Sequence, residues 1–136
     1  MGTRSTIAIE FADQSVSQIY CHWDGYLENN GKILAQHYTN PFKVKELVEL
    51  GGFSSLRPTI DETAESAYTQ RGESCDINRF MDLEDYEDNC QQEEYDYILR
   101  QVEGQATWFV RCYATDGKWI SLETAFAELM NQEECE

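Results

Sequence analysis

The stretch STIAIEF (5–11) alternates apolar and polar residues, placing Ile7, Ile9 and Phe11 on one face, the period of a half-buried strand. Ala12-Asp13-Gln14-Ser15 reads as a turn, and VSQIYCHW (16–23) returns with Ile19, Cys21 and Trp23 on one face, so the first two strands form a hairpin. DGYLENNG (24–31) reads as loop, with Asn29 or Asn30 able to cap a short helix over KILAQHY. Asn40-Pro41 is a stronger start signal, because proline's missing N–H costs nothing at the first helical position. The helix PFKVKELVEL places Val44, Leu47 and Val48 on one stripe and stops at Gly51-Gly52.

From Phe53 to Asp76 the periodicity is weak, predicting loop with one short strand near SAYTQ (66–70). DLEDYEDNC (82–90) predicts a helix capped by Asp82 that buries Leu83, Tyr86 and Cys90. EYDYILR (94–100) alternates through Tyr95, Tyr97 and Leu99. A turn at Val102-Glu103-Gly104 then leads into ATWFVRCYA (106–114), with Trp108, Val110 and Cys112 on one face. Thr115-Asp116-Gly117-Lys118 is an Asp-Gly hairpin signal, WISL a further strand, and Ser121 the cap of a last helix, ETAFAELM. The expected architecture is α+β, one domain over 1–136: an antiparallel sheet of about five strands with three to four short helices packed on a face.

Charge changes this picture. The formal net charge is −16. Residues 1–60 carry six acidic and five basic side chains, a balance of −1, whereas residues 61–136 carry twenty and five, a balance of −15. That split argues against direct binding to phosphate backbones, which require Lys and Arg to displace counterions, and it is compatible with a basic partner. No apolar run approaches the roughly 18 residues of a membrane span, and the N-terminus lacks a signal-peptide pattern, so a cytoplasmic location is expected. MGTRST matches the myristoylation pattern formally, but Thr6 already belongs to a strand and an acidic chain is repelled by anionic lipid. Cys21, Cys75, Cys90, Cys112 and Cys135 make no CxxC pair, and His22 and His37 lack finger spacing, so reduced thiols are expected and no metal or cofactor is.

TRSTIAIEF, the following turn and VSQIYCHWDGYLENNGKILAQHY together resemble the opening of a family of small bacteriophage and prophage proteins. SAYTQRGE, EEYDYILR, TWFVR and DGKWISL are similar as well, and CHWDGY is the distinctive motif. The resemblance implies a virus-borne accessory protein acting in a bacterial cytoplasm, a context in which non-enzymatic blockers of host machinery are common. It carries no catalytic residues over.

Chemistry is sparse. Cys21 and His22 are strand neighbours and point to opposite faces, so they cannot form a nucleophile–base pair. Removal of Met1 would expose Gly2, which has no side chain to attack with. An EF-hand loop starting at Asp82 would place Tyr86 and Glu87 where oxygen and glycine are needed, and only Glu93 fits. Trp23, Asp24 and Tyr26 are a possible ligand or partner contact, with Cys21 and Trp23 otherwise read as core. The remaining feature is LEDYEDNCQQEEYDY, where no basic residue occurs from Phe80 to Leu99. Like charges three or four apart on a helix repel, and a row of carboxylates can imitate part of the field of DNA.

The leading expectation is therefore a non-enzymatic inhibitor. It would block a nucleic-acid-handling host protein of an anti-phage defence, CRISPR or restriction, through Asp82, Glu84, Asp85, Glu87, Asp88, Glu93, Glu94 and Asp96. The alternatives are a binder of a nucleotide signal, using Trp23, Tyr26 and the arginines, and a hydrolase built on His22 or His37.

Overall fold

The computed structural model describes residues 3–67, 77–90, 92–112, 115 and 117–134. Its centre is a six-stranded mixed sheet in the order β3-β2-β1-β4-β5-β6. The strands are β1 (Ser5–Glu10), β2 (Val16–Cys21), β3 (Asn78–Phe80), β4 (Tyr95–Val102), β5 (Gln105–Cys112) and β6 (Ile120–Ser121). The helices are α1 (Lys32–His37), preceded by a π-helical turn at Leu27–Gly31, α2 (Pro41–Glu49), α3 (Ile60–Ala64), α4 (Leu83–Asn89) and α5 (Leu122–Glu134). The α+β class is as expected, but among the described residues the sheet has six strands and is not purely antiparallel.

The expected antiparallel pairings are present, including that of β5 with β6, Val110 opposite Ile120. β1 pairs antiparallel with β2, Ile7 opposite Ile19, and β4 with β5, Tyr97 opposite Val110. Glu103 and Gly104 both have positive φ, 53° and 82°, which gives the two-residue β4–β5 turn the twist that antiparallel partners require. The correction is the seam between the hairpins: β1 runs parallel to β4, Ile7 beside Tyr97. Parallel neighbours need a long crossover, and here it contains α1 to α4.

The helices lie on both faces of the sheet and not on one. One sheet face carries Ile7, Ile9, Ile19, Cys21, Tyr97, Leu99, Trp108 and Val110, and packs on Leu34, Val44, Leu47, Val48, Leu122 and Ala125 of α1, α2 and α5. The opposite face buries Ala8, Val16 and Ile98 beneath Tyr86 of α4, with Phe80, Leu83, Cys90, Phe109 and Trp119 around them. The sheet is covered on both sides, so every residue from Ser5 to Ile9 is buried.

The caps explain most helix starts. Asn40 accepts from the Phe42 N–H with Pro41 at the first position, and Ser121 Oγ accepts from the Thr124 N–H. Asp82 accepts from the Asp85 N–H. Thr59 Oγ1 accepts from the Glu62 N–H and donates to the Glu62 carboxylate, and this cap starts α3 inside a segment expected to be loop. The strand expected at SAYTQ falls largely outside the described residues, as do Arg71-Gly72-Glu73, Cys75, Asp116 and Cys135; Ala67 makes an isolated bridge to Phe53.

Neither Asn29 nor Asn30 caps α1 through its side chain. Asn30 is buried and instead donates to Ser5 Oγ at 3.2 Å and Cys21 Sγ at 3.4 Å. Trp23 is not core either: β2 ends at Cys21, Asp24 takes φ 57°, and Trp23 is left 42 % exposed against the edge of His22.

Gly25 is the residue of this loop that docks. Its N–H donates to Thr3 O at 2.8 Å, its carbonyl accepts from Tyr97 Oη at 2.6 Å, and an added Cβ would lie 2.6 Å from the Ser5 Cβ. Gly25→Ala is therefore expected to destabilise the fold by about 1–3 kcal/mol, the usual cost of overpacking, measured by urea unfolding. An unchanged midpoint would show that this contact is loose.

Candidate functional site

The acidic stretch folds as α4 and the start of β4, on the second face of the sheet. Tyr86 anchors α4: it is fully buried, its ring meets Phe80 edge-on at 5.5 Å, and Trp119 lies at 6.0 Å. Asp82 and Asp85 serve the helix itself. Asp82 Oδ1 takes the Asp85 N–H at 2.9 Å, Asp85 Oδ2 takes the Met81 N–H at 2.9 Å, and Asp85 Oδ1 takes Asn89 Nδ2 at 2.8 Å. These bonds fix the first turn, and both residues are half-buried.

Glu84, Glu87 and Asp88 are left facing water at the i, i+3, i+4 spacing that makes them neighbours on a helix. Among the described residues none of the three has an ion pair. Asp88 also sits in the last turn, where the helix dipole disfavours an anion. Glu94 is exposed and Glu93 half-buried.

Asp96 departs from the expected surface. It is buried on β4 and belongs to a polar row running across three strands, with Thr6 of β1 and Arg111 of β5 as its register partners. Thr6 Oγ1 donates to Asp96 Oδ1 at 2.7 Å, the Glu93 N–H donates to the same oxygen at 3.2 Å, and Arg111 stands 3.5 Å from Oδ2. Arg111 also donates to Cys90 Sγ at 3.4 Å and lies 4.5 Å from the centre of the Trp119 ring. Asp96 therefore ties the end of α4 to the sheet and is unavailable to a partner. Burial raises its pKa above the ordinary carboxylate value, against the hydrogen bonds from Thr6 and Glu93 and the charge of Arg111.

Between α4 and the sheet lies a cavity of about 190 Å³, lined by Leu83, Glu87, Ile98, Arg100, Phe109 and Trp119. Arg100 is engaged by Glu10, Nε to Oε1 3.3 Å. Tyr86 Oη and Trp119 Nε1, both buried, have no acceptor among the described residues. The lining residues Ile98 and Phe109 escaped the one-face reading of their strands. The signal lay in the unbroken apolar triplets Tyr97-Ile98-Leu99 and Trp108-Phe109-Val110, which mark strands buried on both sides.

The CHWDGY loop has a different character. Burial pushes the Cys21 thiol up to about 11; Cys21 donates to Trp23 O at 3.6 Å and Ser54 O at 3.7 Å, which makes it a structural thiol. His22 Nδ1 bonds Tyr20 Oη at 2.8 Å, and among the described residues no bond joins Asp24 to His22 or His37. Tyr26 is 37 % exposed and the ring contact of Trp23 is with His22; the loop docks through Gly25 on the Tyr97 side of the sheet, whereas Arg100 and Arg111 lie beside Phe109 and Trp119 on the other.

No family model matches the chain, and no curated protein or solved structure matches it. No helix among the described residues is long and apolar enough to cross a membrane, and none of their His, Cys, Asp and Glu side chains group in a way that could hold a metal ion.

The raised pKa of Asp96 has a definite sign. A carboxyl that holds its proton more tightly when folded contributes stability below its unfolded pKa, near 3.9, and loses that contribution as pH rises through the folded value. The stability advantage of the wild type over Asp96→Asn, which cannot titrate, should therefore shrink as pH rises from about 3 to about 7. Asp96→Ala leaves Arg111 uncompensated and should cost about 3 kcal/mol at neutral pH. Urea unfolding across this range measures both, and a wild-type advantage that grows with pH contradicts the assignment.

Proposed function

We propose that this chain is a non-enzymatic binding protein of bacteriophage type, which occupies a basic, nucleic-acid-handling protein of a bacterial host in the cytoplasm and blocks it. The observation that carries this reading is α4: its inner side is fixed by Tyr86 and its first turn by Asp82 and Asp85, while Glu84, Glu87 and Asp88 face outward. At 1.5 Å per residue these three carboxylates occupy about 6 Å of helix axis. B-form DNA carries roughly three or four phosphates over that length, so the local charge density is comparable.

A flexible acidic tail would have to be ordered on binding, whereas α4 is already ordered in the free protein, which reduces the entropic cost of docking. Its charge also speeds encounter with a cationic cleft. The balance of −15 in residues 61–136 and the resemblance of CHWDGY to phage proteins support the same reading. A nucleotide-sequestering role has weaker support. The cavity beside α4, about 190 Å³, is smaller than the roughly 300–1,000 Å³ usual for small-molecule sites.

The test is affinity capture of bacterial host proteins with the wild type and with a Glu84→Lys, Asp88→Lys, Glu94→Lys variant, which leaves Glu87 and the buried residues untouched. The wild type should retain a basic nucleic-acid-handling protein at about 0.1 M salt and release it by about 1 M, where the screening length falls to roughly 3 Å. The variant should bind that protein at least about tenfold more weakly. Equal affinity for both would remove the proposal.

A further inference from the structure

We propose that the cavity between α4 and the sheet receives one arginine side chain of the partner, an inference that rests on the docking role of α4 and names the group that enters. Three features of the cavity lead there: its size, its walls and its charge.

A volume of about 190 Å³ suits one long side chain better than a cofactor or nucleotide. The walls suit a side chain with an apolar stem and a flat cationic head. Leu83 and Ile98 offer aliphatic surface, and Phe109 and Trp119 offer aromatic surface. Both rings already have guanidinium neighbours: Arg111 lies 4.5 Å from the Trp119 centroid, and Arg100 lies 5.9 Å from that of Phe109. Such contacts favour planar guanidinium over the compact ammonium of lysine.

The charges around the space are committed except for one. Arg100 is held by Glu10 and Arg111 by Asp96. Glu87 borders the space on its α4 side, is exposed to solvent as well, and has no ion pair among the described residues. A guanidinium is the group that meets a carboxylate with paired hydrogen bonds while stacking on an aromatic ring. The competing occupant is an anion, since Tyr86 Oη and Trp119 Nε1 are buried donors without described acceptors. Glu87 and the formal charge of −16 both oppose it.

The probe is N-acetyl-arginine N-methylamide, titrated into the full chain while the indole N–H resonance of Trp119 is followed by heteronuclear NMR. The norleucine and glutamate counterparts serve as stem-only and anionic controls. The arginine probe should shift the Trp119 resonance saturably in the millimolar range. Norleucine, or Glu87→Gln with the arginine probe, should bind at least about fivefold more weakly. Leu83→Trp, which fills the space from its rim without changing charge, should abolish the response while far-UV circular dichroism stays that of the wild type.

The proposal is overturned by an unsaturated Trp119 response at about 50 mM probe, weaker than any useful contact. Equal binding of norleucine, indifference to Glu87→Gln, or preference for the glutamate probe would overturn it too. Capture lost in the Glu84, Asp88, Glu94 reversal together with a silent arginine titration would reject the cavity alone. Saturable arginine binding together with capture indifferent to that reversal would reject the acidic docking face instead.

Discussion

Asp96 is a buried anion at the middle of the sheet, and the arrangement around it depends on how that charge is met. Thr6 donates to it from one neighbouring strand, Arg111 flanks it from the other, and the Glu93 N–H closes over it. An ionised carboxylate in such a place is costly without partners, and each partner here belongs to a different element. The row therefore specifies a structure as well as filling one. It sets the parallel seam of β1 and β4 in register, and through Arg111 and Cys90 it ties down the end of α4.

The two faces of the sheet divide the work. The first carries the larger apolar cluster under α1, α2 and α5, and the Gly25 loop is pulled against it by the Tyr97 hydroxyl. The second face carries the smaller apolar cluster beside the Thr6-Asp96-Arg111 row, and α4 covers it with few apolar side chains, Tyr86 foremost. That economy leaves the outer surface of α4 free for carboxylates, and it leaves space beside Ile98 and Phe109 unfilled. The acidic surface and the cavity are thus two results of laying a short, charged helix over a sheet.

Much of this was legible in the sequence. Hairpins, the Asn40 and Asp82 caps, the Val44-Leu47-Val48 stripe and the Ser121 start are local matters, and local patterning announces them. What escaped was non-local. The parallel pairing of β1 with β4 leaves no mark on either strand's alternation, and the role of Asp96 depends on Arg111 across the sheet. Trp23 looked like core because alternation was continued past Cys21, where Asp24 turns the chain away. Two of these features carry sequence signals: Thr59-Ile60-Asp61-Glu62 has the Thr-x-x-Glu signature of a helix start, and the apolar triplets of β4 and β5 mark a doubly covered sheet. Of the acidic residues, composition marked them all alike, and only their bonds separate those that cap from those that face water.

The parallel seam also governs how the chain reaches its native state. Each hairpin closes over a short span, but Thr6 and Asp96 are 90 positions apart. Contacts that distant repay their closure entropy only once most of the intervening chain has been gathered in. The two hairpins can thus arise early and independently, and their side-by-side mating, with the carboxylate leaving water for Thr6 and Arg111, is the late event. Until it occurs, β1 and β4 present unpaired edges, so a newly made molecule is most exposed to self-association in the interval before mating.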